Sequence, residues 1–365
     1  MSAPAANDAA RLSRADALAI VAAGAADRDR DRDPAGRFPE DAIAALERAG
    51  LTQLTAAPGS TTTYADELAL LRAVARADAG VARVLDGHLN AVERLRVQAP
   101  RALRDAELAE IAAGRLRAGV WGADPAPEEG SPARLDGATI SGTKVFCSGA
   151  GGLHRALVLV SDPDGKEPPS AAWVDLTVAG TVEVDRSWFR GNGMRSSASH
   201  RVTFHGAPVP AILGPPGSLT RQPWFARDAV RTASTWAGAA DAAVEDALRH
   251  LAARPQSSEL EALAAGRLLT WQHGIGLWLQ DAAATLSDDA TDADTAARAA
   301  TQLRTAIADA ARAILDEAER ATGSRPPASG APLDRAARDL RLFLLQHRLE
   351  PILTRLGRAA LEDRR

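Results

Sequence analysis

The residues able to do chemistry in this chain are few. His347, in Leu345-Gln346-His347-Arg348, carries an imidazole whose near-neutral pKa suits a general base. The plainer reading is a partly buried helix residue with its hydrogen bonds met. Cys147 is the single cysteine, which excludes an internal disulfide framework and a multi-cysteine metal site and suits a reducing compartment. His200, His205, His250 and His273 form no i, i+4 pair on one helix, and no acid completes one with them, so no metal site is expected. Neither a GxGxxG turn after a strand nor a P-loop is present, so a nucleotide would have to be held another way. Trp121-Gly122 and Ser148-Gly149 offer small or hydroxylated side chains in strand-like surroundings, where a ligand could approach the backbone closely.

Three kinds of segment must position these groups. Residues 1–118 read as helical. Pro39 can open a helix, Glu40 and Asp41 sit at its positive end, Ile43 and Leu46 face inward, and Gly50 can close it. Tyr64, Leu68 and Leu71 repeat the stripe behind a Thr63/Asp66 cap pair. The run from Asp27 to Asp33 reads as a solvated helix end. Residues 119–215 change period. Short β-rich runs at 138–146, 156–161, 170–176, 181–185 and 200–205 are separated by Asp136-Gly137, Asp162-Pro163-Asp164-Gly165 and Gly191-Asn192-Gly193, which predicts a small antiparallel β domain.

Residues 216–365 return to helix. Val230, Ala237, Val244 and Leu251 recur at sevens, Ser258 and Glu261 form a capping box before a stretch reaching Trp278, and Leu303, Ile307 and Ile314 mark a third helix ending at Gly323. A fourth is expected from Asp334 to Leu361 with a kink at Pro351. The fold class is therefore α+β and mainly α: a helical domain, a β domain, and an antiparallel four-helix bundle.

Length and charge narrow the function classes. A chain of 365 residues exceeds one minimal core, since single cores stop growing near about 250 residues. With 43 basic against 47 acidic residues the net charge of -4 leaves no electrostatic footprint for nucleic acid or an anionic membrane. The first residues carry Asp and Arg throughout without an apolar core, and no run reaches the roughly 20 apolar residues of a membrane helix. A cytoplasmic protein without nucleic-acid or membrane partners is expected.

The order helical domain, β domain, bundle, together with specific residues, resembles the acyl-CoA dehydrogenase superfamily over nearly the whole chain. Phe38-Pro39, Leu46 and Gly50-Leu51 are similar to its second helix, and Asp86-Gly87-His88 falls in its substrate-side helical region. Ala123-Asp124-Pro125 stands where the family has Thr-Glu-Pro, and Gly142-Thr143-Lys144 leads into the flavin-facing strand. Gly193 to Ser197, Val202-Thr203-Phe204 and Val209-Pro210 resemble the closing strands, and Arg338-Asp339-Leu340-Arg341 matches an arginine and aspartate pair in the last helix.

The resemblance implies an FAD cofactor, with Trp121, Gly122 and Ala123 lining the pyrimidine side of the flavin and Phe146 and Ser148 its ring. It implies oxidation of an acyl thioester, a carboxylate taking the α proton while hydride leaves for the flavin, and an electron acceptor. The family's usual glutamate position, nine residues after Arg338, holds His347. A minority of the family place the base ten residues before a bundle glycine, which from Gly238 is Asp228. His347 also resembles the flavin monooxygenases of the same fold, which take reduced flavin from a separate reductase and use oxygen. The segment that reaches the FAD diphosphate is altered, with Arg325 or Arg254 left as phosphate contacts. The expected assembly is a homodimer or homotetramer through the last helices, and a non-catalytic relative of the fold stays open as a third class.

Overall fold

The computed structural model describes residues 11–31, 36–57, 59–162, 164–346, 348–362 and 364. Among the described residues five helices come first: α1 (Arg14–Asp31), α2 (Glu40–Arg48), α3 (Tyr64–Ala77), α4 (Ala79–Gln98) and α5 (Arg101–Ala112). Their boundaries follow local chemistry. Thr63 accepts the Asp66 amide while Asp66 accepts the Thr63 amide, so the capping box opens α3 as expected. Asp78 accepts the amides of Gly80 and Val81 and starts α4 one residue after α3 ends. A Cβ on Gly80 would lie 2.2 Å from Ser196 Oγ and 2.6 Å from the Ser197 nitrogen, so only glycine lets α4 begin against the loop before the last long strand.

Eight strands follow: β1 (Ala118–Trp121), β2 (Arg134–Asp136), β3 (Thr139–Cys147), β4 (Arg155–Val160), β5 (Ser170–Asp175), β6 (Val182–Asp185), β7 (His200–Pro208) and β8 (Ala211–Ile212). They make two four-stranded sheets, ordered β1-β4-β5-β8 and β2-β3-β7-β6. Among the described strands the pairings are antiparallel except that β1 runs parallel to β4, Trp121 opposite Val158. A parallel neighbour demands a long crossover, and here β2 and β3 of the other sheet supply it.

The bundle consists of α6 (Trp224–Ala252), α7 (Glu259–Leu286), α8 (Ala293–Thr322), the short α9 (Arg325–Ser329), α10 (Pro332–Phe343) and α11 (Glu350–Glu362). The Ser258/Glu261 capping box opens α7 as expected. The single kinked last helix is instead two helices. Pro351 is the second residue of α11 rather than a kink inside one helix; lacking an amide hydrogen, proline is tolerated in a first turn, where that donor has no partner anyway. The side chains of α6, α7, α8 and α10 share one core that includes Trp236, Leu268, Ile307 and Leu340. α6 lies directly on α3, and a Cβ on Gly238 would stand 2.1 Å from the Arg72 carbonyl.

Candidate functional site

The sheet corner formed by the ends of β1 and β3 collects five of the eight residues singled out in the sequence. Trp121 is fully buried, and its indole N–H donates to the Ser148 carbonyl at 2.9 Å. Gly122 and Ala123 follow it into the open, and the Ala123 carbonyl accepts the Val145 amide at 3.1 Å. Beneath them the buried Lys144 ammonium donates to Asp124 Oδ1 at 2.7 Å and to the Gly122 carbonyl at 3.3 Å, which clamps the turn after β1 onto β3.

Between Lys144 and Cys147 the register against β7 slips. Phe146 takes up that slip at φ 52°, is 57% exposed, and meets Trp188 edge-on with ring centroids 4.8 Å apart. Met194 and Ala198 also hold left-handed backbone, at φ 57° and 45°. Each such residue costs about 1–3 kcal/mol and persists where its surroundings over-determine it. Here those surroundings are a row of hydroxyls. Ser197 Oγ donates to the Met194 carbonyl at 2.6 Å, Ser199 lies 2.7 Å from Ser197, and Ser148 lies 2.9 Å from Ser199. A hydroxyl has one proton. With Ser197 committed to a carbonyl, Ser199 donates to Ser197 and Ser148 donates to Ser199, so the Ser148 hydroxyl oxygen is left as an acceptor.

The segment that carries Trp188 also meets α10 of the bundle. Trp188 is anchored by its indole N–H on Glu129 at 2.6 Å. Phe189, next in sequence, and Leu342 on α10 both pack where a Cβ on Gly191 would stand. Phe343 then meets Trp236 of α6 edge-on at 6.2 Å.

Asp228 stands elsewhere, in the seam between α4 and α6. It is ion-paired with Arg94, with Arg231 at 3.5 Å. Burial, the largest influence, lifts its carboxyl to about 7 against the pull of Arg94. The rest of the seam is also ionic. Arg231 bridges Glu67 at 2.7 Å and Glu93 at 2.9 Å, and Arg227 reaches Glu93 at 3.1 Å. Burial raises Glu93, but the two arginines overcome it and hold the carboxyl at about 2. Asp86 accepts from Asn90 and Thr232, each at 3.0 Å, and from Arg83.

His88 is a structural residue. Its Nδ1 accepts the Ala118 amide at 3.1 Å, so Nε2 carries the proton donated to the Thr52 carbonyl at 3.0 Å, and burial lowers its pKa. Arg325 is exposed at the start of α9. Arg254 is engaged by Glu261 and the Ala321 carbonyl. His347 lies outside the described residues. No hydrogen bond or ion pair among the described residues joins Asp228 or Arg325 to the Phe146 corner. Sequence reasoning missed Trp188, Ser199 and Arg94. The serine-rich Ser196-Ser197-Ala198-Ser199 was the only signal for the hydroxyl row; nothing marked Arg94 among the helical arginines.

No helix among the described residues is long and apolar enough to cross a membrane. No protein-family profile and no curated protein matches the chain. Solved structures do. The methanesulfinate monooxygenase MsuC from Pseudomonas fluorescens is 22% identical with a TM-score of 0.81, over 96% of this chain and 97% of that one. TdsC from Paenibacillus sp. A11-2, solved with FMN and indole, is 22% identical with a TM-score of 0.79, over 95% of this chain and 98% of that one. A nitrososynthase from Micromonospora carbonacea var. africana is 24% identical with a TM-score of 0.80, over 95% and 94%. At these identities the likeness concerns the fold, which is the acyl-CoA dehydrogenase-like arrangement expected from the sequence.

Proposed function

We propose that the protein is a flavin-dependent monooxygenase that receives reduced flavin from a separate reductase and oxygenates a small polar substrate, with FMN rather than FAD as its flavin. The observation that carries this reading is the ionic α4–α6 seam. The resemblance puts the substrate beside Asp86 and Asp228, and an acyl chain needs an apolar lining there. Instead the seam is closed by Arg94, Arg231, Glu67 and Glu93. Moving an acyl chain into it would strand buried charges, each costing several kcal/mol.

Residues at the sheet corner fit a flavin. Phe146 and Trp188 give an open aromatic surface, the turn after Trp121 gives backbone beside it, and Ser148 gives an acceptor suited to a ring N–H. A reduced flavin held by these residues would supply the electrons for activating oxygen. FMN is favoured over the FAD first expected because Arg254, one of two candidate diphosphate contacts, is already occupied by Glu261. The solved proteins of this fold point the same way in their own names: a monooxygenase, a nitrososynthase, and an FMN complex.

The dehydrogenase reading keeps one observation in its favour, since a carboxyl near pKa 7 at Asp228 suits proton abstraction at neutral pH. One experiment separates the two. The protein is given FMN, NADH and a flavin reductase in air with indole and methanesulfinate as probes, and separately FMN or FAD with mixed acyl-CoAs under anaerobic conditions. Oxygen-dependent product with no anaerobic bleaching is expected. Bleaching by an acyl-CoA that disappears in Asp228→Asn would overturn the proposal and restore Asp228 as the base.

A further inference from the structure

Arg304, on the inner face of α8, is 7% exposed, and its Nε and Nη2 have no hydrogen-bond partner among the described residues. Those two atoms form one edge of the guanidinium, with parallel N–H bonds spaced to meet two oxygens held on one atom. The Arg304 Cζ lies over the Trp236 ring, 5.2 Å from its centroid. The Trp236 indole N–H is buried and likewise without a partner. Three buried donors thus occur together with no acceptor committed to them. The nearest countercharge is Asp86, whose oxygens are taken by Arg83, Asn90 and Thr232. Burial lowers the Arg304 pKa to about 10, which leaves it cationic at neutral pH. An unpaired buried cation is among the costliest features a core can hold, and one with an open fork is built for an anion.

We propose that Arg304 and the Trp236 indole form a binding site for a small carboxylate-class oxyanion, a carboxylate or sulfinate, seated in the bundle core. Arg304 takes two oxygens through Nε and Nη2, and the indole N–H adds a third donor. Trp236 and Phe343, edge-on to one another, form an apolar wall for a compact body. This deepens the monooxygenase reading by giving its substrate a charge and a headgroup, but its test needs neither flavin nor oxygen, so either claim can fail alone.

The test is thermal unfolding of the full flavin-free chain at pH 7.5 and constant ionic strength. Sodium acetate, benzoate and methanesulfinate are titrated against sodium chloride and neutral acetamide. At least one two-oxygen anion is expected to raise Tm by about 2 °C or more in a saturable way, as ligand binding to the native state requires. Chloride and acetamide should leave it unchanged. Arg304→Gln should weaken the anion effect at least tenfold. Arg304→Lys, which keeps the charge but loses the fork and guards against a folding defect in the glutamine variant, should weaken it too. Arg304→Met should raise the ligand-free Tm, because it removes an uncompensated charge, while abolishing the anion response. A wild-type response that follows ionic strength alone, or an equal response in wild type and Arg304→Gln, overturns the proposal.

Discussion

The Asp339 carboxyl sits where α10 meets the loop before β7, accepting the Met194 amide at 2.6 Å. Burial, reinforced by the nearby Asp78, lifts its pKa to about 7 from an ordinary 3.8. A carboxyl raised on folding binds its proton more tightly in the native state. Its stabilising contribution is therefore complete below about pH 4 and is lost as pH rises through 7. Asp339→Asn keeps a carbonyl for the Met194 amide and removes the titration. The stability of the variant relative to wild type should rise by about 3 kcal/mol between pH 5 and pH 8, because two pH units of that window lie below the raised pKa of about 7. Parallel pH series of thermal unfolding check this, and a gap that stays constant from pH 5 to 8 would refute it. The Arg338-Asp339 pair was legible in the sequence as a pattern. Its strain, like the partnerless fork of Arg304, was not: a helical arginine reads as solvated until the structure shows what surrounds it.

At the scale of elements, the α4–α6 seam is the joint between the first helices and the bundle. Arg231 is its centre, 1% exposed and shared by Glu67, Glu93 and Asn90. Arg231→Leu would leave two buried carboxylates without their main partner, so a loss of about 3–5 kcal/mol in denaturant unfolding is expected. The half-exposed Arg76–Glu245 pair between α3 and α6 is the control; Arg76→Ala should change stability by less than about 1 kcal/mol. Equal effects of the two substitutions would mean that the seam is not the joint proposed. The helices themselves were readable from their stripes, and the Thr63 and Ser258 boxes from four residues each, because caps are local chemistry. The α10–α11 break and the parallel β1–β4 pair were not readable. Both depend on which distant segment an element packs against, which a local pattern does not encode.

For the whole molecule, α7 poses a question that its own bundle does not answer. Leu263, Gly266, Thr270 and Leu277 are exposed along one face, Gly274 partly so, and nothing lies within 4 Å of where a Cβ on Gly266 or Gly274 would be. These five positions are symmetric about Thr270. An antiparallel copy of α7 would therefore set Leu263 against Leu277 and Gly266 against Gly274, the self-complementarity that a two-fold interface requires. The glycines would let the two backbones approach closely, and exposed leucines without such cover would be an unusual patch for a monomer. We propose that the copies pair through this face. The same symmetry places Glu259 against the second copy's Asp281 at each rim, so like charges oppose association, and added salt should strengthen it. Light scattering after size exclusion at micromolar concentration should show a dimer or a multiple of it, tighter in 0.5 M than in 0.05 M NaCl. Leu277→Glu should give a folded monomer with unchanged helical circular dichroism, because that side chain is 53% exposed and outside the bundle core. An oligomer that survives both Leu263→Glu and Leu277→Glu would place the interface on another face.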